Sequence, residues 1–504
     1  MSEPGRQRGS FRQGFGFGLA GFASSAVLAL ATSIATARLY GVDVVGEFAL
    51  AYAPTGAAWF LSSIREAPVL MKRIAPLEPR DPLVTGLFAA VFAFSTALTA
   101  VVAALGVGIS WFAFNGPLDE PGLFLPAVVN LAGYLVIVNP AWNLDTIFSA
   151  FRAGRDLFVV RLHQAIVYLA LVVALEPVTD TVWALIAALY ASWLTSLVHR
   201  LLTVGDWMRF RVPRDSLRAG RAELRPIVTF GLKLAPGSMA YGLSHEVGVW
   251  VLGARGSVAQ VGAYSRAWMV AGRLLEFNYR LTEMLLPTLA ERRTGGDREG
   301  FDRAVVDSMR YMAIGLALLA AAGGGAADGV MDVFGPGFDR AAPALALLLL
   351  VPLLTTLAQV QVTALIALDR PVVTTAFGLV RLAVTIVASV ALVGPAGITG
   401  VALGLLLGAT VQLLLQSRVT LGELQGSWRR FWPLRSALAL LVAYGAGFAV
   451  ARLLDSSLDG LAGTLAALAA GTLVFGAAIL ALGGVLARDR ALARELRARL
   501  RPAS

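Results

Sequence analysis

The stretch Gly14-Phe-Gly-Phe-Gly-Leu-Ala-Gly-Phe-Ala-Ser-Ser-Ala-Val-Leu-Ala-Leu-Ala-Thr-Ser-Ile-Ala-Thr-Ala37 holds 24 residues and no charge, between Arg12 and Arg38. A bilayer core about 30 Å thick needs about 20 helical residues per crossing. Arg6, Arg8 and Arg12 before the run, and Ala35-Thr36-Ala37 at its end, imitate a signal peptide. Signal cores are only about 7–15 residues long, so this run reads as a retained first helix. Thirteen comparable runs follow, and the expected spans are 14–37, 44–70, 83–113, 122–147, 156–175, 181–204, 227–252, 258–287, 306–334, 341–368, 371–393, 397–417, 434–454 and 461–486. Backbone polar groups inside lipid must be satisfied internally, and no alternating strand pattern is present. The expected fold is an all-α polytopic membrane protein of about 14 helices with both termini cytoplasmic.

Composition agrees. Of 504 residues, 57% are hydrophobic and 15% charged, with a mean hydropathy of +0.72; soluble domains carry about 25% charged residues. The absence of cysteine excludes disulfides, thiolate metal sites and thiol nucleophiles. Three histidines (His163, His199, His245) leave little for a histidine metal site. The net charge of +10 is spread over span-flanking segments, which argues for a membrane rather than nucleic acid.

The register of spans is tested by charge. With fourteen spans, 30 of the 42 Arg and Lys residues fall on one set of alternate loops and tails. This set includes Lys72, Arg73 and Arg80, the series Arg200 to Arg225, Arg292 to Arg303, and Arg488 to Arg501. The opposite set holds Arg38, Arg255, Arg340 and Arg452, mixed with Asp119, Glu120, Glu176 and Asp180. Positive residues mark the cytoplasmic side, and one miscounted helix would scramble this segregation.

The longest polar break, residues 205–226, carries arginines at 209, 211, 214, 218, 221 and 225, as expected for a basic amphipathic helix at the cytoplasmic surface. It separates related halves. Phe17-Gly18-Leu19 and Gly41-Val-Asp-Val-Val-Gly46-Glu-Phe48 return as Phe230-Gly231-Leu232 and Gly256-Ser-Val-Ala-Gln-Val-Gly262-Ala-Tyr264. The expected organisation is a six-helix bundle at 1–204, the linker at 205–226, a second six-helix bundle at 227–420, and helices 13 and 14 with a basic tail at 421–504. Parallel repeats with substrate bound between them are a common transporter plan.

Enzyme signatures are absent. No Gly-Lys dipeptide provides a phosphate-binding loop, and no HExxH or GxSxG string occurs. Ser244, His245 and Glu246 radiate to different sides of a helix and form no triad. An arginine near the bilayer centre costs at least about 2.5–3.5 kcal/mol on insertion scales, so embedded charges mark cavities or partners. Helix 8 carries Arg266, Arg273 and Arg280 at heptad spacing with Glu276 and Glu283. On a regular helix these form one stripe, within which Arg273, Glu276, Arg280 and Glu283 can pair with one another. Arg266 lacks such a partner. Arg381, Arg38 and Arg65 complete the arginines expected to line the cavity. Glu246, Glu276 and Asp145 are the carboxylates expected to couple an ion, either a proton or sodium. No metal or other cofactor is expected. Guanidinium forks suit phosphate oxygens, so the lumen favours an anionic cargo.

The exit of helix 1, Arg38-Leu-Tyr-Gly41…Gly46-Glu-Phe48, resembles polysaccharide flippases of the Wzx type, in the superfamily that also holds MATE multidrug exporters and the lipid II flippase. The string Gly262-Ala-Tyr264-Ser265-Arg266-Ala267 is similar to the subgroup exporting teichuronic-acid-like and colanic-acid-like polymers. Pro287, Phe334-Gly335-Pro-Gly-Phe338 and Gly394-Pro-Ala-Gly397-Ile-Thr-Gly400 extend the likeness over about residues 12–420. Glu246 is a departure, since such flippases often carry Asp in helix 7. The resemblance implies a multi-pass, monomeric protein of a bacterial cytoplasmic membrane. It would flip polyprenyl-diphosphate-linked oligosaccharide by alternating access, among membrane lipids, polysaccharide polymerases and glycosyltransferases, without nucleic acid. The rivals are a cation-coupled exporter of the same superfamily and a lipid II flippase.

Overall fold

The computed structural model describes residues 11–64, 66–368, 370–424, 432–486 and 489. Among these residues the structure is helical, with no strand. The helices are α1 (Phe11–Ser62), α2 (Glu66–Ile74), α3 (Pro82–Phe114), α4 (Phe124–Gly133), α5 (Asn139–Ala150), α6 (Gly154–Leu175), α7 (Val182–Val204), α8 (Arg214–Arg255) and α9 (Val258–Gly272). They continue as α10 (Glu276–Thr294), α11 (Arg298–Gly325), α12 (Ala327–Asp332), α13 (Ala342–Leu348), α14 (Leu350–Ala367), α15 (Pro371–Glu423), α16 (Leu434–Asp455) and α17 (Gly460–Ala481).

Ten helices among the described residues are long and apolar enough to cross a membrane. Two of them, Val27–Ser62 and Val373–Glu423, each hold two expected spans. Gly41 (φ 77°) divides the first and Gly397 (φ 51°) the second. Both glycines sit in the left-handed region that side chains rarely enter, so each run is two helices joined at a turn. The expected seventh and eighth spans are helical in α8 and α9–α10, though they are not among the ten.

Local sequence explains the interruptions. Asp81 caps α3 by accepting from the Leu83 amide (2.8 Å), with Pro82 in the first turn. A π-helical turn, Tyr134–Val138, joins α4 to α5 immediately before Pro140. Proline cannot bond the carbonyl four residues back and its ring crowds that turn, which the extra residue of a π turn relieves. Helix 8 departs from the regular stripe expected for it: a 3-10 turn, Arg273–Leu275, separates α9 from α10. The basic linker also differs from a separate surface helix. It is helical from Arg214 and runs unbroken into helix 7 as α8.

The chain forms two compact units. The first comprises Met1–Arg266, Phe334–Phe338 and Arg381–Val401. One of its cores gathers Leu70, Ile74, Phe148, Phe151, Trp207 and Ile227. In it the start of α8 is seated on α3 by backbone, since a Cβ on Gly86 would lie 2.0 Å from the Ser216 carbonyl oxygen and one on Gly220 2.0 Å from that of Gly86. The second unit comprises Ala267–Val333, Asp339–Val380 and Ala402–Ser504. Its α16 and α17 pack through Gly447 and Gly471, with Ala317, Ala321, Ala443 and Phe475 closing the core. Small residues let membrane helices approach closely enough for dispersion to hold them.

Candidate functional site

The embedded charges of the first unit fall into four environments. Arg266 of α9 donates from a terminal nitrogen to Ser33 Oγ of α1 (2.8 Å). Its Nε has no hydrogen-bond partner, and among the described residues no carboxylate pairs with it. A guanidinium carries five donors, so most of its capacity is open.

Arg381 of α15 is fully buried. Its guanidinium lies over the Tyr241 ring at 4.8 Å and its terminal nitrogen is 3.1 Å from His245 Nε2. The guanidinium donates, so the imidazole accepts at Nε2 and keeps its proton on Nδ1. Tyr241 and His245 stand edge to face at 4.7 Å, one turn apart on α8. Arg381 is thus held by an aromatic and an imidazole.

Glu246, the next residue of α8, has neither an ion pair nor a hydrogen bond among the described residues. Its carboxylate packs against α1 at Gly56, where a Cβ would come within 2.7 Å of Oε1. Tyr52 and Tyr264 lie within electrostatic range of it. The Tyr264 hydroxyl is buried without a partner, above Gly248, where a Cβ would approach it to 2.3 Å. Gly56 and Gly248 therefore make the room that this carboxylate and phenol occupy.

Asp145 behaves differently. It accepts from Arg200 Nε (2.7 Å) and from Arg161 (3.2 Å). Arg200, placed by its position among the loop arginines, is in fact inside α7, 1% exposed, bonded also to Ser196 and 5.5 Å from the Trp193 ring centre. Arg161, near the start of α6, pairs with Asp145 as well. An aspartate engaged by two arginines is a structural anchor of α5, α6 and α7, unlike Glu246, which has no such partner among the described residues.

Of the remaining candidates, Arg38 is exposed and its stem lies by Gly335 (φ 108°), 3.6 Å from where a Cβ would stand. Arg273 is half-buried in the 3-10 turn. Arg65, and the side chains of Glu276 and Arg280, lie outside the described residues.

One functional feature was not legible as such. Helix 2 breaks between Ser62 and Glu66. Glu66, 8% exposed, turns back to accept from the Ile64 amide (2.9 Å) and takes a long bond from Ser95 (3.4 Å). Gly231 of α8 presses on the Ile64 carbonyl, where a Cβ would lie 2.1 Å away. The sequence signal for Glu66 is an acid inside an apolar run. Unwound backbone inside a membrane protein occurs where it lines a cavity or is buried in protein. No cluster of three or more potential metal ligands exists among the described residues.

The family described as "Polysaccharide biosynthesis protein" matches residues 78–323, close to half of the chain. No curated protein matches. The lipid II flippase MurJ in an inward closed conformation is similar over 94% of this chain and 99% of its own, with a TM-score of 0.69 at 12% identity. A MATE transporter of Vibrio cholerae covers 82% of this chain and 96% of its own, with a TM-score of 0.54 at 14% identity. An inward-facing multidrug resistance MATE transporter of the MOP superfamily covers 81% of this chain and 94% of its own, with a TM-score of 0.53 at 14% identity. The chain has the fold these transporters share.

Proposed function

We propose that this protein is a flippase that moves a polyprenyl-diphosphate-linked oligosaccharide across a cytoplasmic membrane by alternating access. The observation that carries the reading is Arg266, an arginine inside a spanning helix whose visible partner is one hydroxyl. An embedded guanidinium with no carboxylate is costly unless it meets a counter-charge, and a diphosphate supplies one with several oxygens. The matched family description, polysaccharide biosynthesis, agrees with such a cargo. Arg266 would hold the head group, with Arg38 as a further contact, while the hydrocarbon tail stays in lipid. Arg381 would position the wall of the path through Tyr241 and His245.

Glu246 is the proposed coupling site. A proton or sodium would neutralise it, with Tyr52 and Tyr264 as neighbouring oxygens. A second reading, transport of lipid II itself, is favoured by the 94% coverage by the lipid II flippase; it uses the same arginine. Polymerases and glycosyltransferases of the same biosynthesis would be its partners.

The test is translocation of a fluorescent polyprenyl-diphosphate oligosaccharide in proteoliposomes, with lipid II in a parallel set. Arg266→Ala should slow transport at least tenfold while the protein stays folded, and Arg266→Lys should recover part of the rate. Transport by Arg266→Ala at the wild-type rate removes the arginine from the path. Failure of the wild type to move either lipid, from verified folded protein, shifts the assignment to a cation-coupled exporter.

A further inference from the structure

The repeated turns seen in the sequence meet in space. Gly46 follows the helix 1 turn and Gly262 is its counterpart 216 residues later, the same step that separates Val42 from Val258. A Cβ built on Gly46 would stand 2.0 Å from the Val258 carbonyl oxygen. A Cβ built on Gly262 would stand 2.0 Å from the Val42 carbonyl oxygen and 3.1 Å from the Gly46 amide nitrogen. The contact is reciprocal under the repeat: each glycine lies on the carbonyl four residues before the other. Both glycines are buried, and Val45, Val261 and Ala263 beside them are 0% exposed.

This geometry excludes any side chain. With no Cβ, each Cα comes within about 3.5 Å of the opposing oxygen, the range of Cα–H···O contacts. The obstructing atom is a backbone carbonyl within a helical turn, so it cannot swing away as the end of a flexible side chain could. The glycines Gly315, Gly394, Gly445 and Gly476 are in open space by the same measure. Gly86, Gly220 and Gly231 meet carbonyls as closely, but in the Gly46–Gly262 contact the two partners are also related by the repeat.

The charge register places both turns on the side away from the cytoplasm. We infer that Gly46 and Gly262 form a backbone-to-backbone outer seal of the transport path, closed in this structure and obliged to part when the path opens outward. This rests on the alternating-access reading above. A methyl group at either position would hold the turns apart, and because both positions serve one contact, two methyl groups would do no more than one.

The chain contains no cysteine, so a single introduced thiol reports without background. Val45→Cys, in vesicles treated from outside with a membrane-impermeant maleimide, measures opening without any substrate. Its labelling should be slow alone, at least tenfold faster with Gly46→Ala or with Gly262→Ala, and no faster again with both. Gly315→Ala should leave it unchanged. Ala320→Cys, fully buried in the second unit, should stay unlabelled throughout and so shows that the variants are folded. Unchanged labelling of Val45→Cys in both glycine variants overturns the inference. A second arm avoids crowding the seal. Asp43→Cys with Ser257→Cys, joined by a reducible bifunctional thiol reagent, should stop transport and recover it on reduction; transport that continues while the turns are joined also overturns it. Faster labelling in a protein that moves no lipid-linked sugar would leave the seal standing and the substrate assignment at fault.

Discussion

Arg266 in the first unit and Arg310 in the second are both arginines within helices, and they are provided for in opposite ways. Arg310 is 1% exposed and is bonded to Asp489 (2.7 Å) and Asp307 (3.2 Å), with its guanidinium 5.1 Å from the Tyr311 ring. Asp489 is itself tied by the Tyr311 hydroxyl (2.9 Å) and the Leu486 amide (2.9 Å). Arg266 has Ser33. The second unit neutralises Arg310 with protein carboxylates, whereas Arg266 and Glu246 of the first have no protein counter-charge among the described residues.

This contrast can be broken by mutation. The largest expected effect is on stability, at Arg310→Ala. Removing one partner of a buried pair typically costs about 3–5 kcal/mol, because the carboxylates are left unpaired. The variant should lose most of its folded yield and unfold at markedly lower temperature, whereas Arg266→Ala should unfold within a few degrees of wild type. Equal losses for both would erase the distinction between the two arginines.

The same contrast separates the two candidate carboxylates within the first unit. Asp145→Asn should destabilise by about 3 kcal/mol, since it strands Arg200 inside α7. Glu246→Gln should leave thermal stability unchanged or slightly raised and abolish the response of transport to an imposed ion gradient. A gradient response that persists in Glu246→Gln transfers the coupling role to another carboxylate.

The smallest effect concerns Asp332, at the end of α12 and beyond the membrane-spanning helix, which ends at Gly325 rather than at 334 as expected. Burial, then the nearby Asp339, Asp328 and Asp455, raise its carboxyl above the ordinary range. A raised folded-state value means that the protonated form is preferred by the fold. The stability it contributes is present in acid and lost as pH rises through the raised value. Asp332→Asn should therefore be marginally more stable than wild type near pH 7 and indistinguishable below pH 4, as read by thermal unfolding at both. A difference that grows toward acid would reverse the assignment.

Much of the architecture was legible in the chain. Apolar runs of spanning length are physically sufficient for helices in lipid, and the arginine register orders them. Glycine at 41 and 397 marks where one run becomes two, because the left-handed turn there excludes most side chains. The repeat was visible in Gly46 and Gly262 as a pattern, though its meaning was not. Two glycines on one string do not reveal that each rests on the other's carbonyl, since that depends on how the half-chains dock.

The site was legible only in part. Sequence could nominate Arg266 and Glu246 as embedded charges, because the cost of burying a charge holds wherever the helix lies. It could not separate them from Asp145, Arg200 or Arg310, because neutralisation comes from residues 55 and 179 positions away. Nor could it foresee the 3-10 turn at Arg273, which interrupts a helix that ideal periodicity keeps whole. What the sequence determined was which segments enter the membrane and that charge enters with them, since length, apolarity and insertion cost are local properties. Which of those charges stay open to a cargo was decided only by tertiary structure, because a counter-charge works through a few ångströms of space and not along the chain.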